Sequence, residues 1–279
     1  MKIGVSSYSF SNLKKEATEL IAMAKELGFA AIEYTDMDCP DHDTAQKLAE
    51  ESQRVGLPII CYTIGADFLQ ADSMEAEIAR VKEMVDIAQL LGVKLMRHDV
   101  SRGFDEDKNT HNSWAQALPV LASACREVTE YAAEKGIATM VENHGLFCQD
   151  SVRVAALVGE VNHPNFGVLA DMGNFCCADE NPAIACGNVA AMTKHVHAKD
   201  FHIKSGDVDH PGEGWFHSRG GNYLRGAVIG HGNVPIRQCL GNFSRAGYEG
   251  YVSIEFEGLE NPMDALRIGR NNLERFCEC

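Results

Sequence analysis

One phrase recurs along the chain and limits the folds open to it: an amphipathic helix, then a glycine, then a short β-rich run. It is visible in AKELGFAAIEY, ESQRVGLPIICY, AQLLGVKLMRH, AAEKGIATMVEN and SRAGYEGYVSIEFE. The glycines are Gly28, Gly56, Gly92, Gly136 and Gly247, each placed where a left-handed residue ends a helix at little cost. Because strand runs such as ATMV and GVLA are too apolar to leave one face in water, the alternation predicts a parallel sheet covered by helices.

The number of strands selects the architecture. Eight are predicted, near residues 2–6, 30–34, 58–62, 93–97, 137–142, 166–171, 194–198 and 251–255. Eight strands in 279 residues favour an α/β fold with a single (β/α)8 barrel, the TIM barrel, over residues 1–279. An open doubly wound sheet is the alternative, but the first βα turn, SSYSFSN, has no glycine fingerprint for a dinucleotide.

Composition excludes several classes of protein. The chain has 25 Lys and Arg against 40 Asp and Glu, and this formal charge of −15, without a basic cluster, argues against a nucleic-acid partner. Its ten cysteines show no zinc-ribbon spacing, so free thiols in a reducing compartment are expected. There is neither a signal-peptide pattern nor an apolar run near the roughly 18 residues that a membrane span needs. A soluble cytoplasmic protein is therefore expected.

Four polar residues fall at the ends of predicted strands 5 to 8. They are Glu142 in MVEN, Asp171 in LADMGN, His197 in HVHAKD and Glu255 in SIEFEG. The carboxyl ends of barrel strands form the rim where barrel enzymes keep their chemistry. Each acidic residue alone could simply cap a helix or pair with a lysine, whereas three carboxylates and one imidazole together suit a single divalent cation. The set predicts metal-assisted chemistry.

The motifs in this order resemble those of a known family. GFAAIEY, VENH, ADMGN, HVHAKD, GHGNVP and IEFE are similar to segments of the xylose isomerase-like barrels, which include sugar isomerases and epimerases, inosose dehydratases and endonuclease IV type nucleases. The resemblance covers the whole chain. It implies one divalent metal, manganese by preference with magnesium, cobalt or zinc as alternatives, held by Glu142, Asp171, His197 and Glu255.

The resemblance also implies a reaction. Glu142 and Glu255 would be the acid/base pair that moves a proton next to the carbonyl of a small sugar or cyclitol, through an enediolate that the metal stabilises. Proton return would epimerise or isomerise the substrate, and loss of a β-hydroxyl would dehydrate it; these outcomes, and a keto-glycoside lyase, stay open. Many members of the family are dimers or tetramers, so a homo-oligomer is expected.

The chain departs from the epimerase pattern at two places. Epimerases usually carry a histidine three residues after the strand 6 aspartate, and here that position is Asn174, whose amide keeps a hydrogen bond but cannot be a cation. No arginine follows His197 closely, so Arg219 and Arg225 are the candidates to reach the substrate, with solvated loop charges as the alternative.

Residues 200–230 interrupt the alternation of helices and strands, and they are rich in Gly, His and Asp. We expect a long loop after strand 7, either a lid with Trp215 over the substrate or a packed surface excursion.

Two further interpretations of the whole chain compete with a metal-dependent enzyme of this kind. One is a non-catalytic sugar-binding or partner subunit, and the other is a nuclease, for which the rim has too few histidines and no basic face. The remaining substrate-binding candidates, each with a structural role as its alternative, are Glu33, His98, His144, Lys199 and His231, while His195 is expected to be a hydrogen-bonded core histidine.

Overall fold

Eight parallel strands close into a barrel in a computed structural model that describes residues 1–104 and 113–277. The strands are β1 (Lys2–Ser6), β2 (Ala31–Thr35), β3 (Ile59–Ile64), β4 (Leu95–His98), β5 (Ala138–Glu142), β6 (Phe166–Asp171), β7 (Thr193–Ala198) and β11 (Tyr251–Ile254). Their order around the barrel is β1-β11-β7-β6-β5-β4-β3-β2, and every neighbouring pair is parallel where its register is given. The predicted (β/α)8 barrel is confirmed.

Helices connect the strands and cover the outside of the barrel. They are α1 (Ala17–Glu26), α2 (His42–Val55), α3 (Met74–Leu90), α4 (Trp114–Glu134), α5 (Ser151–Val161), α6 (Asn174–Cys177), α7 (Pro182–Val189), α8 (Ile236–Arg245) and α9 (Pro262–Cys277), with short 3-10 helices at Ser7–Leu13 and Ala190–Met192. The five predicted glycines all have positive φ, between 68° and 82°. Because that region strains a residue with a Cβ, glycine ends these helices most easily.

Side chains of alternate residues fill the barrel in layers. Cys61, Met140 and Leu169 form a small buried cluster with Leu95 packed against it, separate from the large core between strands and helices. Side chains alternate along a strand, so the residues two positions further on face the same interior, one layer nearer the carboxyl rim. These residues are Thr63, Arg97, Glu142 and Asp171. The apolar layer therefore lies directly beneath a polar one.

The segment after β7, which we predicted to be a long loop, contains regular strands. It folds into a three-stranded antiparallel sheet of β8 (Asp200–Lys204), β9 (Phe216–His217) and β10 (Tyr223–Ala227), in the order β8-β10-β9. These strands are short and partly exposed, so they lack the apolar runs that mark the barrel strands in the sequence. For this reason the sequence analysis predicted a long loop and missed the three strands.

Two aspartates, the buried Asp200 and the exposed Asp179, anchor this small sheet. The carboxylate of Asp200 accepts hydrogen bonds from the backbone N–H groups of Gly230, Gly232 and Val234 at 2.9–3.0 Å, which fixes the return of the chain to α8. Asp179 accepts from the side chains of Ser218 (2.7 Å) and Asn222 (2.8 Å) and fixes the other end. The sheet is thus held rigidly beside the carboxyl rim.

Two general features complete the description. Within residues 1–104 and 113–277, no helix has both the length and the apolar character required to cross a bilayer. The nine cysteines that the structure describes are free thiols, eight of them buried.

Candidate metal centre

Four neighbouring strands bring the predicted ligands together at the carboxyl rim. Glu142 ends β5, Asp171 ends β6, His197 is the penultimate residue of β7, and Glu255 follows β11. The Nδ1 atom of His197 lies 3.9 Å from Glu142 Oε1, 3.9 Å from Asp171 Oδ2 and 3.7 Å from Glu255 Oε1. One ligand atom from each of the four residues lies within 4.8 Å of all the others.

This arrangement fits one divalent cation. Two ligands bound at about 2.0–2.3 Å from the same ion are roughly 3–4 Å apart, as these atoms are. His197 Nδ1 and Asp171 Oδ2 are buried and have no hydrogen-bond partner in the part of the chain that the structure describes. Because a buried polar atom without a partner is costly, a bound cation would compensate both. The donor set, three carboxylates and one imidazole, suits manganese or magnesium and accepts cobalt or zinc.

Each glutamate of the centre uses its two oxygens differently. Glu142 Oε1 faces His197 and accepts a hydrogen bond from Asn174 Nδ2 (2.9 Å), while Oε2 pairs with the Arg97 guanidinium at 2.7 Å. Glu255 Oε1 faces His197, while Oε2 pairs with Lys199 Nζ at 2.7 Å. Both glutamates therefore present one oxygen to the centre and hold a cation with the other.

Local sequence fixes the orientation of Asp171. Its Oδ1 accepts hydrogen bonds from the backbone N–H groups of Gly173 and Asn174, both at 2.8 Å, which turns Oδ2 toward the centre. Asn143, which directly follows β5, donates to the backbone carbonyl of Asp171 and accepts from its N–H, both at 2.9 Å. The VEN and ADMGN segments thus hold the carboxylate before any ligand arrives.

The charges of the centre shift its pKa values strongly. Burial raises the pKa of Asp171, and although Lys199 opposes this, the result is about 7. Burial would lower the pKa of His197, but Glu33 and Glu255 outweigh it and raise that pKa to about 10. For Glu255 burial raises the pKa, whereas Lys199 and His197 outweigh this and hold it at about 2. Without a cation, His197 is therefore protonated at neutral pH.

These shifts predict that metal binding releases protons. A metal on Nδ1 needs the lone pair of His197, so binding displaces about one proton at pH 8, between the pKa of Asp171 and that of His197. Below pH 7 Asp171 is protonated as well, so metal binding displaces a second proton. The affinity for the metal therefore rises as the pH rises toward the pKa of His197. Calorimetric titration of the metal-free protein with Mn²⁺, in buffers of different ionisation enthalpy, counts the protons. A count of zero at pH 8 would contradict the raised pKa of His197 in the metal-free protein.

Two connected cavities open above the centre. One of ≈ 260 Å³ lies directly over it, and a second of ≈ 400 Å³ lies toward the small sheet. Both are lined by Tyr8, His144, Lys199 and Glu257. Among the predicted substrate-binding residues, Lys199 and His144 line both cavities and Asn174 lines the second. His144 is half exposed, and its Nδ1 lies 3.1 Å from Asp99 Oδ1.

Two other predicted residues lie away from the cavities because of their position on the strands. His98 ends β4 but faces outward and lies between the rings of Phe68 and Phe166, where burial lowers its pKa to about 4. Glu33 faces inward but is fully buried beneath His197. The interior position at the end of β4 belongs to Arg97 instead.

The substrate-binding candidates within residues 200–231 also lie away from the two cavities. The Arg219 guanidinium pairs with Asp150 Oδ2 at 3.0 Å. The ring of Trp215 packs between Lys204 and Arg225, at 5.7 and 5.5 Å, and His231 is exposed. Neither cavity is lined by any of these four candidates, and the small sheet contributes Phe216 and His217 to the second cavity.

Several cavity residues escaped the sequence analysis. Some of them carried a usable signal, because Arg97 lies two residues after Leu95 and Glu257 two residues after Glu255, which places each on the same side of its strand or extension. Thr63, two residues after Cys61 on β3, carried the same signal, whereas Tyr8 and Asp36 lie outside the barrel strands, where alternation does not apply. The missed residues are Tyr8, Asp36, Thr63, Arg97 and Glu257.

Fold and site together define a (β/α)8-barrel protein with a rim centre suited to one divalent cation. A family model described as "Xylose isomerase-like TIM barrel" matches residues 21–276. The chain belongs to this family, as the sequence motifs indicated.

Known proteins similar to this chain have several different names. The rhizopine catabolism protein MocC of Rhizobium meliloti is 28% identical over 162 residues, which are 53% of this chain and 46% of that protein, so the match spans less than half of MocC. The probable 3-DHS dehydratase AsbF of Bacillus anthracis is 18% identical with a TM-score of 0.76 over 98% of this chain and 99% of that one. The 3-keto-D-glucoside 4-epimerase YcjR of E. coli is 17% identical with a TM-score of 0.76 over 99% of both chains.

Proposed function

We propose that this protein is a divalent-metal-dependent isomerase or epimerase of a small sugar or cyclitol that works by removing a proton next to a carbonyl. The observation that carries the proposal is the placement of the two glutamates. In the barrel order β11-β7-β6-β5, Glu255 and Glu142 come from the two outer strands of the four that supply the centre. They would therefore flank a bound ion and substrate from two sides, which suits a proton donor and a proton acceptor.

The chain supplies the proton transfer and the orientation. A bound divalent cation would act as a Lewis acid on the substrate carbonyl and its neighbouring hydroxyl. One glutamate takes the proton from the carbon that carries this hydroxyl, and the other glutamate returns a proton. Arg97 keeps the Glu142 carboxylate in place, and Lys199 keeps that of Glu255. The positive side chains of Arg97 and Lys199 stabilise the negative charge that develops near the glutamates. This electrostatic stabilisation is stronger in an enclosed site than in water.

Dehydration is the second candidate, and Lys199 is the observation that favours it. Its ammonium lies 2.7 Å from Glu255 and 3.5 Å from Asp171 and lines both cavities. After a glutamate has taken the α-proton, this ammonium can give a proton to a β-hydroxyl, which leaves as water. Arg97, on the other glutamate, cannot supply a proton in this way.

The lining of the cavity indicates the charge of the substrate. Over the centre, four carboxylates (Asp36, Glu142, Glu255 and Glu257) stand against two cations, Arg97 and Lys199, and both cations are already paired with carboxylates. With a divalent cation bound, its two positive charges would only balance the carboxylates that Arg97 and Lys199 leave over, so the lining offers a phosphate group no excess of positive charge. We infer an uncharged polyhydroxylated substrate, which agrees with the keto-glucoside in the name of YcjR.

Two measurements test the proposal in sequence. Elemental mass spectrometry of the unchelated protein is expected to find about one divalent metal per chain, and the Mn²⁺-loaded protein is expected to exchange a substrate proton in ²H₂O. Ketoses, inososes and keto-glycosides are the panel, and NMR follows the products. A new epimer or isomer supports the first candidate, and loss of water supports the second. Metal-loaded protein that exchanges no proton on any of these would contradict both.

A further inference from the structure

A buried carboxylate lies beneath the centre and faces away from the cavities. Glu33, the third residue of β2, is 0% exposed and reaches across the barrel interior to β7. Its Oε2 lies 2.7 Å from His195 Nε2, and its Oε1 contacts His197 Nε2 directly. Each carboxylate oxygen of Glu33 therefore contacts an imidazole nitrogen. One of these two imidazoles is His197, the predicted metal ligand.

This second group of residues is not well suited to a metal of its own. Glu33, His195 and His197 offer atoms that lie within 4.8 Å of one another, as a metal site would require. However, both carboxylate oxygens are already in contact with a ring nitrogen, and His195 Nε2 also lies 3.2 Å from Ser253 Oγ. An ion could enter only by breaking these contacts. The group is better described as a closed network of proton donors and acceptors.

The network determines which nitrogen of His197 carries a lone pair. An ionised carboxylate only accepts hydrogen bonds, so the ring nitrogen that faces Glu33 must carry a hydrogen. When a cation is bound and the ring is neutral, this leaves Nδ1 without a hydrogen. Nδ1 is also the atom that lies 3.7–3.9 Å from the three carboxylates. Glu33 thus aligns the ring and selects the tautomer that a metal at the centre needs.

We propose that Glu33 is a positioning residue that prepares His197 for metal binding, rather than a residue that touches substrate. The inference rests on the proposed metal centre and assigns a role to a side chain that lies one layer below it. Carboxylates bonded to the far nitrogen of a metal-ligating histidine orient the ring and increase its basicity. The two contacts with His195 and His197 give Glu33 the geometry for that role.

Titration of the metal-free full-length chain with Mn²⁺ tests the proposal through binding alone. Glu33→Gln is expected to weaken the affinity by about 10–100-fold. The reason is that a glutamine amide has only one oxygen, and its NH₂ group would face a ring N–H, so one imidazole must turn or change tautomer. Asp200→Asn is the matched control, because it removes a buried carboxylate at the same rim without touching a ligand. It is expected to bind Mn²⁺ as the natural chain does.

The possible outcomes separate this inference from the proposed function. If Glu33→Gln binds Mn²⁺ within twofold of the natural chain, the role of Glu33 is wrong and the metal centre stands. If the natural chain itself binds no divalent cation, both are wrong. A second measurement needs no variant: long-range ¹H–¹⁵N NMR of the Zn²⁺-loaded natural chain should show the hydrogen of His197 on Nε2. A hydrogen on Nδ1 would overturn the proposal.

Discussion

Glu255→Gln is expected to lower the rate of substrate proton exchange by about 10²–10⁴-fold while one metal ion per chain remains bound. The glutamine oxygen can still face the centre where Glu255 Oε1 does, 3.7 Å from His197 Nδ1, but an amide cannot take up a proton at neutral pH. The exchange rate in ²H₂O and the metal content must be measured on the same sample, because a lost ligand would also abolish turnover.

Glu142→Gln is expected to cause a loss of similar size for the same reason. Glu260→Gln is a suitable control, since this glutamate is half exposed beyond β11, 3.9 Å from Arg225, and lines neither cavity. Full exchange activity in Glu255→Gln with metal bound would remove this residue from the acid/base pair. The same result in Glu142→Gln would remove Glu142, so the two roles are tested separately.

Arg97→Met is expected to destabilise the metal-free protein by about 3–5 kcal/mol. The guanidinium is 9% exposed and holds Glu142 Oε2 at 2.7 Å, Asp99 Oδ1 at 2.8 Å and the Ile64 carbonyl at 3.0 Å. Although burial opposes the charge, these carboxylates raise the pKa of Arg97. Removing it leaves two buried or half-buried negative charges without their partner. Urea denaturation in the presence of a chelator measures the difference.

Two variants show whether the loss comes from unpaired charge. Arg97→Met combined with Glu142→Gln should recover part of the stability, because one of the stranded carboxylates is gone. Arg126→Met on the surface of α4 removes an exposed pair with Glu130 (3.6 Å) and should change the unfolding free energy by less than about 1 kcal/mol. An unchanged denaturation midpoint for Arg97→Met would show that the pairing contributes nothing to stability.

The fold could be predicted because its signal is repeated and local. Each glycine-terminated helix followed by an apolar strand is visible within about a dozen residues, and the first and sixth strands have the predicted bounds. The others differ by up to two residues, as with β4, predicted at 93–97 and found at Leu95–His98. Such shifts arise because pairing with neighbouring strands, which lie far away in the sequence, decides where a strand ends.

The site was predictable only where strand position decides it. The four residues of the centre follow from the rule that strands present chemistry at their carboxyl ends. Arg97 and His98, adjacent and both polar, show the limit: the register of β4 decides which faces inward, and we chose the wrong one. Trp215 and Arg219 depend on the path of the segment after β7, which Asp179 fixes through contacts about 40 residues away along the chain.

The centre draws all four of its residues from one contiguous half of the barrel, β5, β6, β7 and β11, while Thr35, Asp36 and Thr63 enter the cavity from β2, β3 and the turns after them. None of these three contacts a residue of the centre through a hydrogen bond or ion pair in the described part of the chain. These three side chains can therefore be replaced without breaking a contact of the four residues of the centre, whereas Glu33, deeper on β2, contacts His197 directly. The upper ends of β2 and β3 and the turns after them are thus the places where the shape of the cavity can change while the centre keeps its contacts.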